Sequence, residues 1–199
     1  MRLFFILLIL LSHQIVKSQD QMFDICPIKV GAEVPEVSLS DSDNKAVLLS
    51  ELTAEKPTVL IFYRGAWCGY CTKHLAELND IKGAVDSLGY QMFGITVDQS
   101  SKLEESTKRS ESEIQVYSDS KLEVIDAFGL DWKVEEQLFQ KYKSEYKLDL
   151  EAWSGQDHHS LPVPAIYIIK EGIIQFQYVN PNYRTRLKAE TLLAILKTM

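Results

Sequence analysis

Two cysteines stand two residues apart in the stretch FYRGAWCGYC, residues 62–71. They follow an apolar run of strand length and precede a segment with helical spacing. If the helix begins near Cys68, its first N–H groups and its dipole favour a thiolate there, whereas Cys71 lies one turn deeper. Residues three apart on a helix lie about 5–6 Å from each other, within reach of a disulfide. The spacing therefore predicts a redox centre in which Cys68 attacks and Cys71 resolves.

Other chemistries are compatible with such a pair. A static disulfide here closes too short a loop to restrict the unfolded chain much. A zinc site could combine the pair with His74 and either His158 or His159, but the sequence has no second Cys-x-x-Cys and no His-x-x-x-His. Attachment of a c-type haem needs a histidine directly after the second cysteine, where this chain has Thr72. We therefore expect no metal and no cofactor.

Strands and helices alternate along the chain and position this pair. The apolar runs at 57–64 and 90–98 predict two parallel strands that are buried on both faces. Between them, residues 71–89 have helical spacing and end at Gly89, which is a typical end of a helix. The cysteines are thus predicted to lie at a strand–helix junction.

Shorter patterns predict the remaining elements. Two apolar runs around KEG in residues 165–179 predict an antiparallel hairpin. Further predictions are helices at 102–110, from Ser120 to Gly129 and at 188–199, and a strand at 114–118. Residues 131–160 fit neither pattern, and we predict an insertion there with one helix near 134–147.

The N-terminal residues predict export. Arg2 precedes nine apolar residues, and Val16 and Ser18 are spaced like a signal-peptidase site. Nine apolar residues are fewer than half of the roughly 20 that a membrane-spanning helix needs. We therefore expect residues 1–18 to be a signal peptide, residues 19–199 to form one domain, and no stable membrane anchor.

A lipoprotein is the alternative, because Cys26 lies soon after the apolar run. Its context FDICP lacks the small residue that precedes a lipidated cysteine. We also expect Cys26 to lie outside the redox pair, because Cys68 and Cys71 already satisfy each other.

Charge and compartment limit the partners. Cleavage after residue 18 removes Arg2 and Lys17 and no acid, so the formal charge changes from −7 to −9. Nucleic acids require a basic face, and we expect no such partner. A periplasmic or extracellular protein needs a dedicated electron donor to keep a cysteine pair working. We expect a thioredoxin-like protein or a membrane-bound donor.

The sequence resembles thioredoxin-fold proteins, and within them the peroxiredoxin-like branch of the AhpC/TSA (alkyl hydroperoxide reductase and thiol-specific antioxidant) family. The resemblance spans about residues 30–199. It rests on the stretches VGAEVPEVSL, FYRGAWCGYC, SDSKLEVIDAFGL and LPVPAIYIIKEGIIQFQYVNPNYRTRL. It implies an α/β, thioredoxin-like fold with a central mixed sheet flanked by helices and the helical insertion before the strand that follows Pro164.

The resemblance also assigns roles to single residues. Cys68 would be the nucleophile and Cys71 its intramolecular partner. Trp67 would be the aromatic residue before the nucleophile, and Pro164 a cis-proline that faces the disulfide. The substrate groove is then expected to include Arg64, Trp67, Val163 and Pro164.

The chain departs from this family at positions that matter for chemistry. Peroxiredoxins carry a threonine or serine where this chain has Gly65, and a proline where it has Ile61. Their arginine just ahead of the late strand is missing. Thioredoxins keep a buried aspartate as proton acceptor where this chain has Phe62, so the proton of Cys71 would have to move through water or another group, such as Glu77 or the histidines of the insertion. Peroxide attack needs donors that stabilise charge on oxygen, so these departures favour disulfide exchange.

We therefore expect a thiol-disulfide oxidoreductase that acts on protein or small-molecule disulfides through Cys68 and Cys71. One alternative is a thioredoxin-dependent peroxidase that reduces hydroperoxides, with Cys68 passing through a sulfenic acid. Another is a thioredoxin-fold binding module whose cysteines have no redox turnover.

Overall fold

The structure is a computed structural model and describes residues 25–199. The predicted signal peptide, residues 1–18, lies outside this range. Within the described residues, none of the helices is both long enough and apolar enough to span a bilayer.

A seven-stranded mixed sheet forms the centre of the fold. Its strands are β1 (Ser38–Ser40), β2 (Ala46–Leu48), β3 (Thr58–Phe62), β4 (Gln91–Thr96), β5 (Gln115–Ser118), β8 (Ala165–Lys170) and β9 (Ile173–Val179). Their order is β2-β1-β5-β4-β3-β8-β9. Strands β3, β4 and β5 run parallel, as predicted for the first two, and the other pairs are antiparallel. The predicted hairpin is confirmed as β8 and β9.

Eight α-helices flank this sheet or belong to the insertion in the described chain. They are α1 (Leu49–Ala54), α2 (Gly69–Asn79), α3 (Lys82–Ser87), α4 (Leu103–Ser110), α5 (Glu123–Ala127), α6 (Glu136–Ser144), α7 (Leu150–Ser154) and α8 (Ala189–Leu196). Alternate residues of β3 point to two separate cores. Leu60 and Phe62 pack with α5 and the insertion, whereas Val59 and Ile61 pack with α2 and α8. The predicted mixed α/β fold is confirmed.

Two helices differ from the prediction. The single helix at 71–89 is broken into α2 and α3, and the Asn79 side chain at the break accepts a hydrogen bond from the Glu113 N–H at 2.8 Å. Asparagine side chains that bond to backbone groups favour helix ends. Helix α5 begins not through Ser120 but through Asp119, whose carboxyl accepts the N–H groups of Val124 and Ile125.

The insertion contains more structure than the one predicted helix. Helices α6 and α7 lie between two short antiparallel strands, β6 (Asp131–Lys133) and β7 (Ser160–Pro162). This ladder brings the two ends of the insertion together directly before β8. Three-residue strands carry too little periodicity to be recognised in a sequence.

The peptide bond between Val163 and Pro164 is trans, as are all other peptide bonds of the described residues. The predicted cis-proline is therefore wrong. The Val163 N–H donates to the Leu130 carbonyl at 2.8 Å, and the Pro164 carbonyl accepts from the Asn180 N–H at 3.1 Å. These hydrogen bonds hold the chain in an extended conformation that is compatible with the trans isomer. The trans isomer is favoured by about 0.5–1 kcal/mol before proline.

Replacing Phe128 with alanine tests the core beneath β3. Its buried ring lies 5.0 Å from the Phe62 ring and 4.9 Å from the Tyr167 ring between centroids. Phe128→Ala should lower the free energy of unfolding by about 3–5 kcal/mol in urea denaturation. Tyr146→Ala, at a side chain that is 61% exposed, should change it by less than about 0.5 kcal/mol. Equal effects of the two variants would contradict this assignment of the core.

Candidate active site

Cys68 lies at the start of α2, as the spacing predicts. It is the residue before Gly69 and has an extended backbone, with φ −91° and ψ 104°. Its carbonyl accepts the N–H groups of Cys71 at 2.8 Å and Thr72 at 3.0 Å, which starts the helix. Cys68 is 5% exposed and Cys71 0%, and both are free thiols. Cys71 thus lies behind Cys68, shielded from water.

The surroundings separate the acidities of the two thiols. A hydrogen bond from the Cys71 side chain is the largest cause that lowers the pKa of Cys68, from 9.0 to about 6, and Arg64 and Arg186 contribute to this against the effect of burial. Burial, and then the neighbouring Cys68, raise the pKa of Cys71 well above its ordinary value. These surroundings favour a thiolate at Cys68 and a thiol at Cys71.

Arg64 is buried within a group of aromatic rings. Its Nη2 donates to the Tyr142 hydroxyl at 2.7 Å, and its guanidinium carbon lies 4.3 Å from the centroid of the Tyr183 ring and 5.1 Å from that of Trp67. Guanidinium groups over aromatic faces are stabilised by the ring quadrupole. The sequence predicted Arg64 and Trp67, but missed Tyr142 on α6 and Tyr183 after β9, because nothing in their local pattern marks them.

A second arginine reaches the pair from the far end of the chain. Arg186 lies between β9 and α8, and its Nη2 donates to the sulfur of Cys71 at 3.2 Å. The sequence has no arginine directly ahead of β8, where Pro164 stands. The structure supplies the positive charge from 115 residues beyond Cys71 instead.

Gly65 leaves no space for a side chain. Its φ is +151°, and a Cβ atom there would lie 2.3 Å from Trp67 Nε1 and 2.7 Å from Asp98 Oδ1. A threonine or serine hydroxyl therefore cannot occupy this position without moving the loop.

Val163 and Pro164 line a cleft next to the arginine. Its other lining residues are Arg64, Trp132, Pro162, Pro181 and Tyr183. The walls are mostly apolar, and the Nε atom of Arg64 and the indole nitrogen of Trp132 are buried there without a partner in the described chain. The predicted groove residues Arg64, Val163 and Pro164 thus share one surface.

The predicted proton carriers are engaged elsewhere. Glu77 pairs with Lys73 at 3.8 Å, His158 Nε2 donates to the Ser120 carbonyl at 3.0 Å, and His159 pairs with Glu151 at 2.7 Å. Across residues 25–199, no three His, Cys, Asp or Glu side chains are arranged to hold a metal ion.

A different carboxyl group belongs to the site. Asp98 directly below the loop accepts the Ala66 N–H at 2.7 Å, and burial raises its pKa to about 7. No local pattern in the sequence marks Asp98, because it follows β4 and lies 30 residues from Cys68 in the chain.

The sequence matches the AhpC/TSA family over residues 30–177. The chain belongs to this family. Peroxiredoxin bcp1 of Schizosaccharomyces pombe is 26% identical over 115 residues, which are 58% of this chain and 59% of that protein. Peroxiredoxin Bcp of Escherichia coli is 27% identical over 104 residues, 52% of this chain and 66% of that protein. The matches therefore span less than two thirds of the length of these relatives.

Solved structures show the same fold. Reduced Prx3 of Vibrio vulnificus in complex with hydrogen peroxide superposes with a TM-score of 0.70 at 19% identity, over 85% of this chain and 96% of that one. Peroxidoxin BcpB of Mycobacterium tuberculosis has a TM-score of 0.65 at 19% identity, over 86% and 98%. The predicted thioredoxin-like architecture is confirmed.

The pKa of Cys68 can be tested by titration in a Cys26→Ser background. The ultraviolet absorbance of the thiolate should appear with a half-point near pH 6. Arg64→Gln should move the half-point upward, because it removes a positive charge that stabilises the thiolate. Lys73→Gln removes an exposed charge from the same helix and should leave the half-point in place. An unchanged titration in Arg64→Gln would contradict the role of this arginine.

The restriction at Gly65 predicts a stability effect. Gly65→Ala should lower the free energy of unfolding by about 1–3 kcal/mol, because the new methyl group meets Trp67 and the backbone is strained. Gly69→Ala is the matched control: a Cβ atom there meets nothing within 4 Å, and stability should not fall. Urea denaturation of both variants measures this, and an unchanged Gly65→Ala protein would show that the loop adapts.

Proposed function

We propose that this protein is a peroxiredoxin-type peroxidase in which Cys68 reduces a hydroperoxide and Cys71 then forms a disulfide with it. The observation that carries the proposal is the buried Cys68 sulfur at the start of α2, whose pKa is lowered by the Cys71 thiol and by two arginines. Membership of the AhpC/TSA family and the similarity to named peroxiredoxins support it.

The proposed peroxidase cycle has three steps. The Cys68 thiolate attacks the terminal oxygen of the hydroperoxide, an S–O bond forms, the O–O bond breaks, and the leaving alkoxide takes a proton to become an alcohol or water. Cys68 becomes a sulfenic acid. Cys71 attacks that sulfur and displaces hydroxide, which leaves a disulfide and water. A dithiol protein of the thioredoxin type then reduces the disulfide by exchange.

Two arginines could supply the hydrogen-bond donors that peroxide chemistry needs and that the sequence pattern lacks. The Nε atoms of Arg64 and Arg186 are both buried and make no hydrogen bond within residues 25–199. Unused N–H donors on the two arginines that lower the Cys68 pKa can stabilise the developing charge on the peroxide oxygens. They would supply the donors that a hydroxyl at Gly65 cannot, and this favours the peroxidase over disulfide exchange.

Thiol-disulfide exchange remains the second candidate. The observation in its favour is the close Cys68–Cys71 pair, in which the Cys71 thiol donates a hydrogen bond to the Cys68 sulfur. Such a pair resolves a mixed disulfide with a protein partner as readily as a sulfenic acid. Export and a membrane-bound donor stay predictions of the sequence.

Stopped-flow oxidation separates the two functions. Reduced protein followed by Trp67 fluorescence should react with hydrogen peroxide at or above about 10⁵ M⁻¹s⁻¹, within the efficient-enzyme range. Cys68→Ser should abolish the reaction. Cys71→Ser should keep the first oxidation but form no intramolecular disulfide.

The contrary result is equally specific. If hydrogen peroxide reacts much more slowly than a small disulfide, the exchange function is correct and the peroxidase is not. Arg186→Gln should slow the peroxide reaction by on the order of 10²-fold if its guanidinium stabilises the oxygens. Lys188→Gln, two residues along, is the control, because its side chain is exposed and pairs with the exposed Glu190.

A further inference from the structure

The cleft between the insertion and the chain after β9 contains two buried N–H donors that no atom of residues 25–199 accepts. The space in this cleft, including its open mouth, is about 200 Å³. Arg64 is 5% exposed and Trp132 8%, and both line the cleft. The Nε atom of the arginine and the indole nitrogen of the tryptophan are the two donors. A buried polar atom without a partner costs on the order of 1–3 kcal/mol, so two in one cleft need an explanation.

The rest of the lining is mostly apolar. It consists of Pro162, Val163, Pro164, Pro181 and Tyr183. Proline has no N–H group, so three of these residues offer no backbone donor to a ligand. An apolar cleft with a few placed polar groups is the usual form of a small-molecule site.

The indole is an unusual choice for this wall unless its N–H is used. Trp132 lies in the β6–β7 ladder opposite Leu161, which fixes its place beside the cleft. Buried indole N–H groups normally have a hydrogen-bond partner. A phenylalanine ring would fill the same wall without a buried donor.

The charge around the cleft is positive. None of the lining residues is acidic, and no ion pair among the described residues includes Arg64. The exposed Arg184 adds a second guanidinium, whose carbon lies 5.4 Å from the centroid of the Tyr183 ring. In a chain with a formal charge of −7, such a place attracts anions.

We propose that this cleft binds a small organic carboxylate, whose oxygens accept the Nε–H of Arg64 and the indole N–H of Trp132. The apolar body of the ligand packs against the prolines and Tyr183. A carboxylate has two acceptor oxygens, one for each donor, and guanidinium groups match its planar shape. The site thus takes its ligand by charge at one end and by apolar contact at the other.

Arg64 couples this site to Cys68. Its charge is one of the causes that lower the pKa of Cys68, so a carboxylate bound to Arg64 should raise that pKa again. The other groups around Cys68 are Cys71, Arg186 and Tyr142, and none of them lines the cleft. Carboxylates should therefore inhibit Cys68. Slower reaction with a hydroperoxide rests on the proposed function, but the binding itself does not.

Phenylacetate is a suitable probe, with phenylacetamide as its uncharged counterpart of the same shape. Isothermal titration calorimetry of the reduced Cys26→Ser protein should give a dissociation constant on the order of 1 mM or lower for phenylacetate. Phenylacetamide should bind about 10-fold more weakly, because hydrogen bonds to a charged acceptor are stronger. Equal affinities, or no binding of phenylacetate, would overturn the proposal.

Trp132→Phe keeps an aromatic wall and removes the indole N–H. It should weaken phenylacetate binding by about 10-fold. Trp153→Phe is the matched control, because Trp153 lies on α7 next to Lys102, at 5.1 Å from the ring centroid, and is not part of the lining. An unchanged affinity in Trp132→Phe, or the same loss in Trp153→Phe, contradicts the site. If Trp132→Phe does not fold, the comparison of the two probes decides.

The coupling to Cys68 is measured by alkylation. The rate at which iodoacetamide modifies Cys68, followed by mass spectrometry between about pH 5 and pH 8, reports the fraction of thiolate. Saturating phenylacetate should raise the half-point of this profile, whereas sodium chloride at the same ionic strength should not. A half-point that stays in place while phenylacetate is bound would show that the carboxylate does not lie beside Arg64. Neither experiment contains a peroxide, so both outcomes are independent of the proposed peroxidase.

Discussion

The constraint on which this structure depends is that a negative charge must be stable on a sulfur almost closed to water. Burial alone favours the neutral thiol, so the charge needs donors and positive groups around it. The start of α2, the Cys71 thiol and two guanidinium groups supply them. The other features of the site follow from keeping those groups in place.

The insertion helps to hold Arg64 in place. A guanidinium that is buried beside a thiolate must also be packed, and aromatic rings pack it without competing for its charge. Tyr142 comes from α6, and the β6–β7 ladder closes the insertion that carries it. A segment that looks peripheral in the sequence therefore forms one wall of the site.

The surroundings of the site also change the pKa values of three acidic groups. The pKa of Cys68 is lowered, that of Cys71 is raised, and that of Asp98 is raised to about 7. Groups whose acidities are driven apart by their surroundings divide the acid and base roles of a reaction. The different roles of the two thiols thus follow from burial and from where the charges lie.

The sequence by itself determined the elements and the position of the pair. Apolar runs at β3, β4, β8 and β9 and the helical spacing after Cys68 are local patterns, and they placed both cysteines at a strand–helix junction. The family resemblance added Trp67 and the groove around Val163. The start of α5 and the break between α2 and α3 were missed, because they depend on side chains such as Asp119 and Asn79 that bond to backbone groups.

Tertiary structure alone decided the chemistry around the sulfurs. Arg186, Asp98 and Tyr142 reach the site from separate elements, and the trans bond at Pro164 depends on hydrogen bonds to Leu130 and Asn180. Periodicity reports which face of an element is buried, but not which polar group another element brings to it. Contacts between distant parts of the chain arise only when the packing of the elements is known, and these contacts set the acidity of each thiol.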